Sequence, residues 1–252
     1  MLIKVINPNT TWTMTAKIEE CARAVAGPGT LVEAVSPTMG PPSIESHVDE
    51  ALSVPGILEQ IALGEREGVD GYVIACFGDP GMDAAREAAA GPVVGIAEAA
   101  MHAASFLGRG FSVVTTLGRT TGRAWDLAGH YGMTRHCRGV HACDIPVLDL
   151  DTDPDARKVI IEACRTAIEE DGSDSIVLGC AGMADLCGHI SSEIGVPVVD
   201  GVAAATLFVQ SLVTMGLSTG KTGEFATSPP KKYSGLLAGF GTAASPHVSA
   251  NT

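Results

Sequence analysis

Residues 68–76, GVDGYVIAC, and residues 172–180, GSDSIVLGC, follow one pattern: glycine, aspartate two places later, an apolar run, then a closing cysteine. The match extends on both sides. VINPNT (5–10) corresponds to VVTTLGRT (113–120), and GPVVGIAEAA (91–100) corresponds to VPVVDGVAAA (196–205). Matches that keep their order along a chain are the signature of a duplicated unit. Strand-like runs at 2–6, 30–36, 69–75, 92–96, 111–116, 138–144, 175–179 and 196–199 alternate with segments of helical period. Those segments are 11–26, 44–66, 80–90, 97–107, 120–132, 154–171, 182–194 and 201–216. Val/Ile-rich strands alternating with helices specify parallel sheets covered by helices. The expected fold is therefore α/β, with two pseudo-symmetric lobes, each a four-stranded parallel sheet flanked by helices. The first lobe is expected over residues 1–98 and the second over 99–205. Residues 206–252, whose tail is rich in Gly, Ser, Thr and Pro, are expected to pack back on the first lobe.

A chain of 252 residues with 46% hydrophobic residues can bury a core in one large or two small domains. Only 4% are aromatic, which suits close helix–sheet packing better than a β-sandwich. A formal net charge of −13 argues against nucleic acid or an anionic membrane as a partner. MLIKVINPNTT enters a strand directly, without the charged and apolar parts of an export leader. No apolar run reaches the length of a membrane span. A cytoplasmic protein is expected. Seven cysteines, an odd number in an unexported chain, make a disulfide framework improbable and a reactive thiol the better expectation.

Ligands of parallel α/β sheets sit beyond the carboxyl ends of the strands. Cys76 and Cys180 both fall at that edge, so facing lobes would present two thiols to one cleft. After Cys76, Asp79 and Pro80 resemble an N-cap and a first helical residue. After Cys180, a helix is expected from about Gly182. Helix N-termini lower a thiol pKa from about 8.5 and donate to an oxygen that gains negative charge. Two opposed thiols beside such donors suit proton removal on one face of a carbon next to a carbonyl and delivery on the other. That chemistry needs no cofactor. A cysteine at one strand end is ordinarily a small buried hydrophobe; the matched pair is what favours chemistry. Neither site is a C-x-x-C redox motif.

Three other features carry less. TGKTGEF (219–225) lacks the first glycine of a phosphate loop, since Met215 stands there, and it follows a helix rather than a strand. HCRGVHACD (136–144) would place Cys137, His141 and Cys143 on one face of a strand, interrupted at Gly139; a mixed strand face, and no metal site, is expected. Asp79 and Asp185 are expected to serve helix ends rather than catalysis.

ACFGDPG (75–81) and LGCAGM (178–183), with VINPNTT at the start and GPPSIES (40–46), resemble the hydantoin and allantoin racemases of the aspartate/glutamate racemase superfamily. The resemblance runs through to SPPKKYSGLL (228–237). It implies inversion at C5 of a 5-substituted hydantoin, or of allantoin, by a cofactor-independent two-base proton transfer with Cys76 and Cys180 as the catalytic pair. It also implies ligand contacts from Asn7, Thr115 and Thr116 at strand ends. Backbone amides near Phe77, Gly78, Ala181 and Gly182 would hold ring carbonyls, and Ser43 would form a wall. The family's amino-acid racemases have Asn-Thr or Thr-His after their cysteines; Phe-Gly and Ala-Gly stand here. A small neutral cyclic ureide fits that environment better than a zwitterion. An amino-acid racemase and a non-catalytic two-lobed binding protein remain the alternatives. Apolar stretches such as VAAATLFVQSLV (202–213) lead to the expectation of a homo-oligomer.

Overall fold

The computed structural model describes residues 1–241. Eight strands and eight helices alternate: β1 (Leu2–Ile6), α1 (Trp12–Val25), β2 (Leu31–Val35), α2 (His47–Glu67), β3 (Gly71–Ile74), α3 (Met82–Ala88), β4 (Val93–Gly95), α4 (Ile96–Ser105), β5 (Phe111–Thr115), α5 (Thr121–His130), β6 (Cys137–Ala142), α6 (Ala156–Asp171), β7 (Ser175–Gly179), α7 (Cys187–Ile194), β8 (Val198–Val199) and α8 (Gly201–Thr214). They form two four-stranded sheets, ordered β2-β1-β3-β4 and β6-β5-β7-β8. Every strand pairing is parallel. The second sheet thus repeats the first in order and direction, as the repeated motifs imply.

Burial explains the strand sequences. β3, β5 and β7 are buried along their whole lengths, so they read as near-continuous apolar runs. Exceptions carry their own partners. Lys4 of β1 is buried, and its ammonium reaches Glu67 and, at 3.4 Å, Glu33. Ser112 of β5 is held by Asp171 at 2.5 Å and Ser173 at 2.7 Å. β6 bulges at Arg138: Phe111 pairs with Cys137 and Ser112 with Gly139, which leaves Arg138 unpaired. The irregularity thus falls at Arg138, and Gly139, where the break is expected, is paired.

Two helices cross between the sheets. α4 follows β4 yet packs on β7, whereas α8 follows β8 yet packs on β3, β4 and α1. They also pack extensively on each other. The expected divisions at 98/99 and 205/206 fall inside α4 and α8. Residues 242–252 of the expected returning segment lie outside the described residues. TGKTGEF is a strap on the first sheet's helices: Lys221 Nζ donates to Arg86 O at 2.7 Å and Glu87 O at 2.9 Å, and so caps the end of α3. No helix among the described residues is long and apolar enough to cross a membrane.

Candidate active site

In each sheet the first and third strands lie side by side, and the strand order reverses between them. The chain leaves such neighbouring strands in opposite directions, which opens a crevice at their carboxyl ends. In the first lobe that crevice receives the loop after β1 and the turn holding Cys76. In the second it receives Thr115, Thr116 and the turn holding Cys180. The two crevices merge into one cavity of about 320 Å³, lined by both cysteines.

The turns match. Asp79 N donates to Cys76 O at 2.9 Å, and Met183 N donates to Cys180 O at 3.1 Å. The amide of the second residue beyond each thiol, Gly78 or Gly182, favours its thiolate. The helices begin differently from the sequence expectation. α3 starts at Met82 after a left-handed Gly81, and Asp79 itself has φ of 43°. Asp79 caps another helix instead: its carboxylate accepts from Ala97 N at 3.1 Å and Glu98 N at 2.9 Å, and from Tyr131 Oη at 2.8 Å. Gly95, the residue before α4, makes room, since a Cβ there would lie 2.2 Å from the Asp79 carboxyl carbon. After Cys180, a tight 3-10 turn (Ala181–Leu186) precedes α7. Neither thiol therefore sits at the mouth of an α-helix. Burial pushes Cys76 and Cys180 up to about 12 each, while the Gly78 and Gly182 amides pull them part of the way back. The expected lowering of the thiols is corrected accordingly: desolvation outweighs the donors.

Of the residues singled out from the sequence, Phe77, Gly78, Thr115, Thr116 and Ala181 line the cavity with the two cysteines. Gly182 lies beside Cys180, where a Cβ would be 3.6 Å from the sulfur. Asn7 is fully buried behind the lining: its Nδ2 donates to Asn9 Oδ1 and Thr15 Oγ1, both at 3.0 Å. Asn9 is the lining residue. Ser43 stays outside the lining, while Ile44, Glu45 and Ser46 of the same GPPSIES segment enter it. Thr10 N and Thr11 Oγ1 fasten that segment through Pro41 O at 3.0 Å and Pro42 O at 2.7 Å. Ser46 then caps α2, exchanging hydrogen bonds with Asp49.

Charged lining residues were not visible as such in the sequence. Glu45 accepts from Val147 N of the second lobe at 2.7 Å. Glu50 of α2 lies 3.4 Å from Arg123 of α5, and His47 lies 3.8 Å from Glu50. Arg119 also lines the cavity, with no carboxylate partner among the described residues. The HCRGVHACD side chains are not part of the cavity lining: His141 Nε2 meets Asp171 Oδ2 at 2.8 Å, and the Cys137 and Cys143 thiols donate to backbone oxygens. No group of three or more His, Cys, Asp or Glu among the described residues could hold a metal ion.

The family model described as Asp/Glu/Hydantoin racemase matches residues 3–209. The chain is 47% identical to a hydantoin racemase of Pseudomonas sp. (strain NS671), over 96% of this chain and 97% of that one. It is 49% identical to a hydantoin racemase of Rhizobium meliloti, over 90% and 94%. A solved allantoin racemase from Klebsiella pneumoniae superposes with a TM-score of 0.93 at 51% identity, covering 96% of this chain and 99% of that one. With two matched sheets, one shared cavity and this similarity along nearly its whole length, the chain belongs to the Asp/Glu/hydantoin racemase family.

Proposed function

We propose that the protein is a racemase that inverts C5 of a 5-substituted hydantoin ring, with Cys76 and Cys180 as its two bases. The observation that carries this is the meeting of two thiols, from matched turns of two sheets, in one cavity. One sulfur, as thiolate, takes the C5 proton, and the electron pair passes into the adjacent carbonyl as an enolate. The other sulfur, as thiol, gives its proton to the opposite face of C5. The product has inverted configuration, and the two cysteines have exchanged protonation states. Backbone amides at the two turns, near Phe77 and Ala181, are the candidate donors to the enolate oxygen, each worth about 3–4 kcal/mol where such donors have been removed. Asn9, Thr115 and Thr116 are placed to meet the rest of the ring. No cofactor enters these steps.

The lobes in this reading are residues 1–98 with the returning segment, and 99–205, closing on substrate from either side. We also infer a homo-oligomer in the cytoplasm; uncovered Phe106, Met215 and Leu236 support self-association. The 5-substituent separates two versions. Met14, Ile44, Phe77 and Val147 favour an alkyl or aryl group. Arg119 favours the ureido group of allantoin, because a free guanidinium can donate to a ureido carbonyl. Optically pure benzyl- and isopropyl-hydantoins and allantoin, incubated in heavy water, test both. Loss of rotation together with deuterium at C5 is expected for at least one. No decay above the uncatalysed rate on any of them would overturn the proposal.

A further inference from the structure

We propose that Arg123 is a positioning residue that ties the Cys76 turn to the second lobe and balances the carboxylate beside that thiol alone, leaving the two pseudo-equivalent thiols chemically unequal. The inference rests on the two-thiol reading above and deepens it. Arg123 is the third residue of α5, and Met14 is the third residue of α1. Each reaches across to the opposite lobe's cysteine turn, with different chemistry.

On the Cys76 side, Arg123 donates from Nη2 at 2.6 Å and from Nε at 3.1 Å to Gly78 O. The same Nε lies 3.4 Å from Glu50 Oε1. Glu50 in turn stands close to the thiol: the position a Cβ would take on Gly78 is 2.7 Å from Glu50 Oε1 and 3.8 Å from Cys76 Sγ. On the Cys180 side, the equivalent position on Gly182 is 3.1 Å from Leu150 Cδ1, 3.8 Å from Met14 Cε and 3.6 Å from Cys180 Sγ. One turn is clasped by an ion pair and the other by two apolar side chains. Since the Gly78 amide is the one that favours the Cys76 thiolate, a grip on the Gly78 carbonyl fixes the residue that steadies it.

The charged groups facing each thiol bear this out. Near Cys76 stand Glu50, which Arg123 pairs, Asp79 of its own turn and Cys180 opposite; His47 and Arg119 line the cavity that both thiols share. Around Cys180 stand Cys143, Glu45 and Asp151, the last of them paired with Lys17. Removing the Arg123 guanidinium would leave Glu50 unbalanced next to Cys76, whereas no element near Cys180 loses a partner.

Racemisation rates of the two enantiomers cannot report this asymmetry, because an equilibrium constant of unity forces their kcat/KM values to be equal. Alkylation of each thiol can. Iodoacetamide forms an S–C bond with the thiolate and releases iodide, and the thiol proton goes to water. Peptide mass spectrometry of the full chain would follow Cys76 and Cys180 separately across pH. In Arg123→Met, Cys76 alkylation is expected to slow about tenfold at neutral pH, equivalent to about one pKa unit, with Cys180 changing less than about twofold. Arg123→Lys should recover part of the loss, and adding Glu50→Gln to Arg123→Met should recover most of it. Glu50→Gln alone, which keeps the Gly78 clasp, should speed Cys76 and not Cys180; it supplies the test if Arg123→Met does not fold. Equal changes at both thiols, or an unchanged Cys76, would overturn the inference. Alkylation does not require turnover. The inference can therefore fail while the two-thiol mechanism holds, and the mechanism can fail on substrate while the inference holds.

Discussion

At Cys76 and Cys180 two demands oppose each other. A base must be a thiolate, yet burial pushes each thiol up to about 12. A charge on Cys180 also works against a second charge on Cys76. The pair therefore suits a state with one thiolate and one thiol, which burial disfavours in the free protein. Because the thiolate fraction grows as pH rises towards the thiol pKa, kcat/KM should climb about tenfold per unit between about pH 7 and 9. Initial rates, corrected for uncatalysed racemisation, check this; a flat profile would contradict it. Both cysteines are legible in the sequence because the repeat fixes their offset from a glycine and an aspartate. Glu50 and Arg123 are not. A lone charge on an amphipathic helix reads as a solvated face, and only the approach of α2 and α5 over the Cys76 turn gives these two a role.

Among the elements, α4 shows how a local signal misleads. Asp79-Pro80 has the composition of a helix start, and α3 does follow. Yet Asp79 adopts a left-handed backbone and spends its carboxylate on the amides of α4, nineteen and fewer residues away. The start of α4 has only Gly95 at its cap position, so the cap comes from a distant loop. Asp79→Ala should cost about 1–3 kcal/mol, by leaving the Ala97 and Glu98 amides and the Tyr131 hydroxyl unpaired. Urea unfolding measures it, and a loss below about 0.5 kcal/mol would show that water replaces the carboxylate. α8 caps itself in the ordinary way: Asp200 accepts from Val202 N at 2.8 Å and Ala203 N at 3.1 Å. Its start was accordingly readable from the sequence. The strands were the most legible of all, since strands buried on both faces leave an uninterrupted apolar run.

Across the whole molecule, duplication sets the architecture, and contacts between the lobes set the site. The repeated order of strands places both cysteine turns at reversal points of their sheets. The exchange of α4 and α8 locks the sheets together through buried helix faces. The lobes are latched at the cavity by Glu45 to Val147 N and by Arg123 to Gly78 O, and outside its lining by Lys17 to Asp151. None of these latches is local in sequence, which is why residue spacing could predict two lobes and a shared cleft but not what closes it. The central claim is that each thiol serves one face of one substrate carbon. It is tested most directly by deuterium exchange at C5 in Cys76→Ala and Cys180→Ala, each given either pure enantiomer in heavy water. Neither variant should racemise. Each should wash deuterium into one enantiomer only, without inversion, and the two variants should choose opposite enantiomers. Racemisation at the unaltered rate by either variant, or exchange of the same enantiomer by both, would contradict the account.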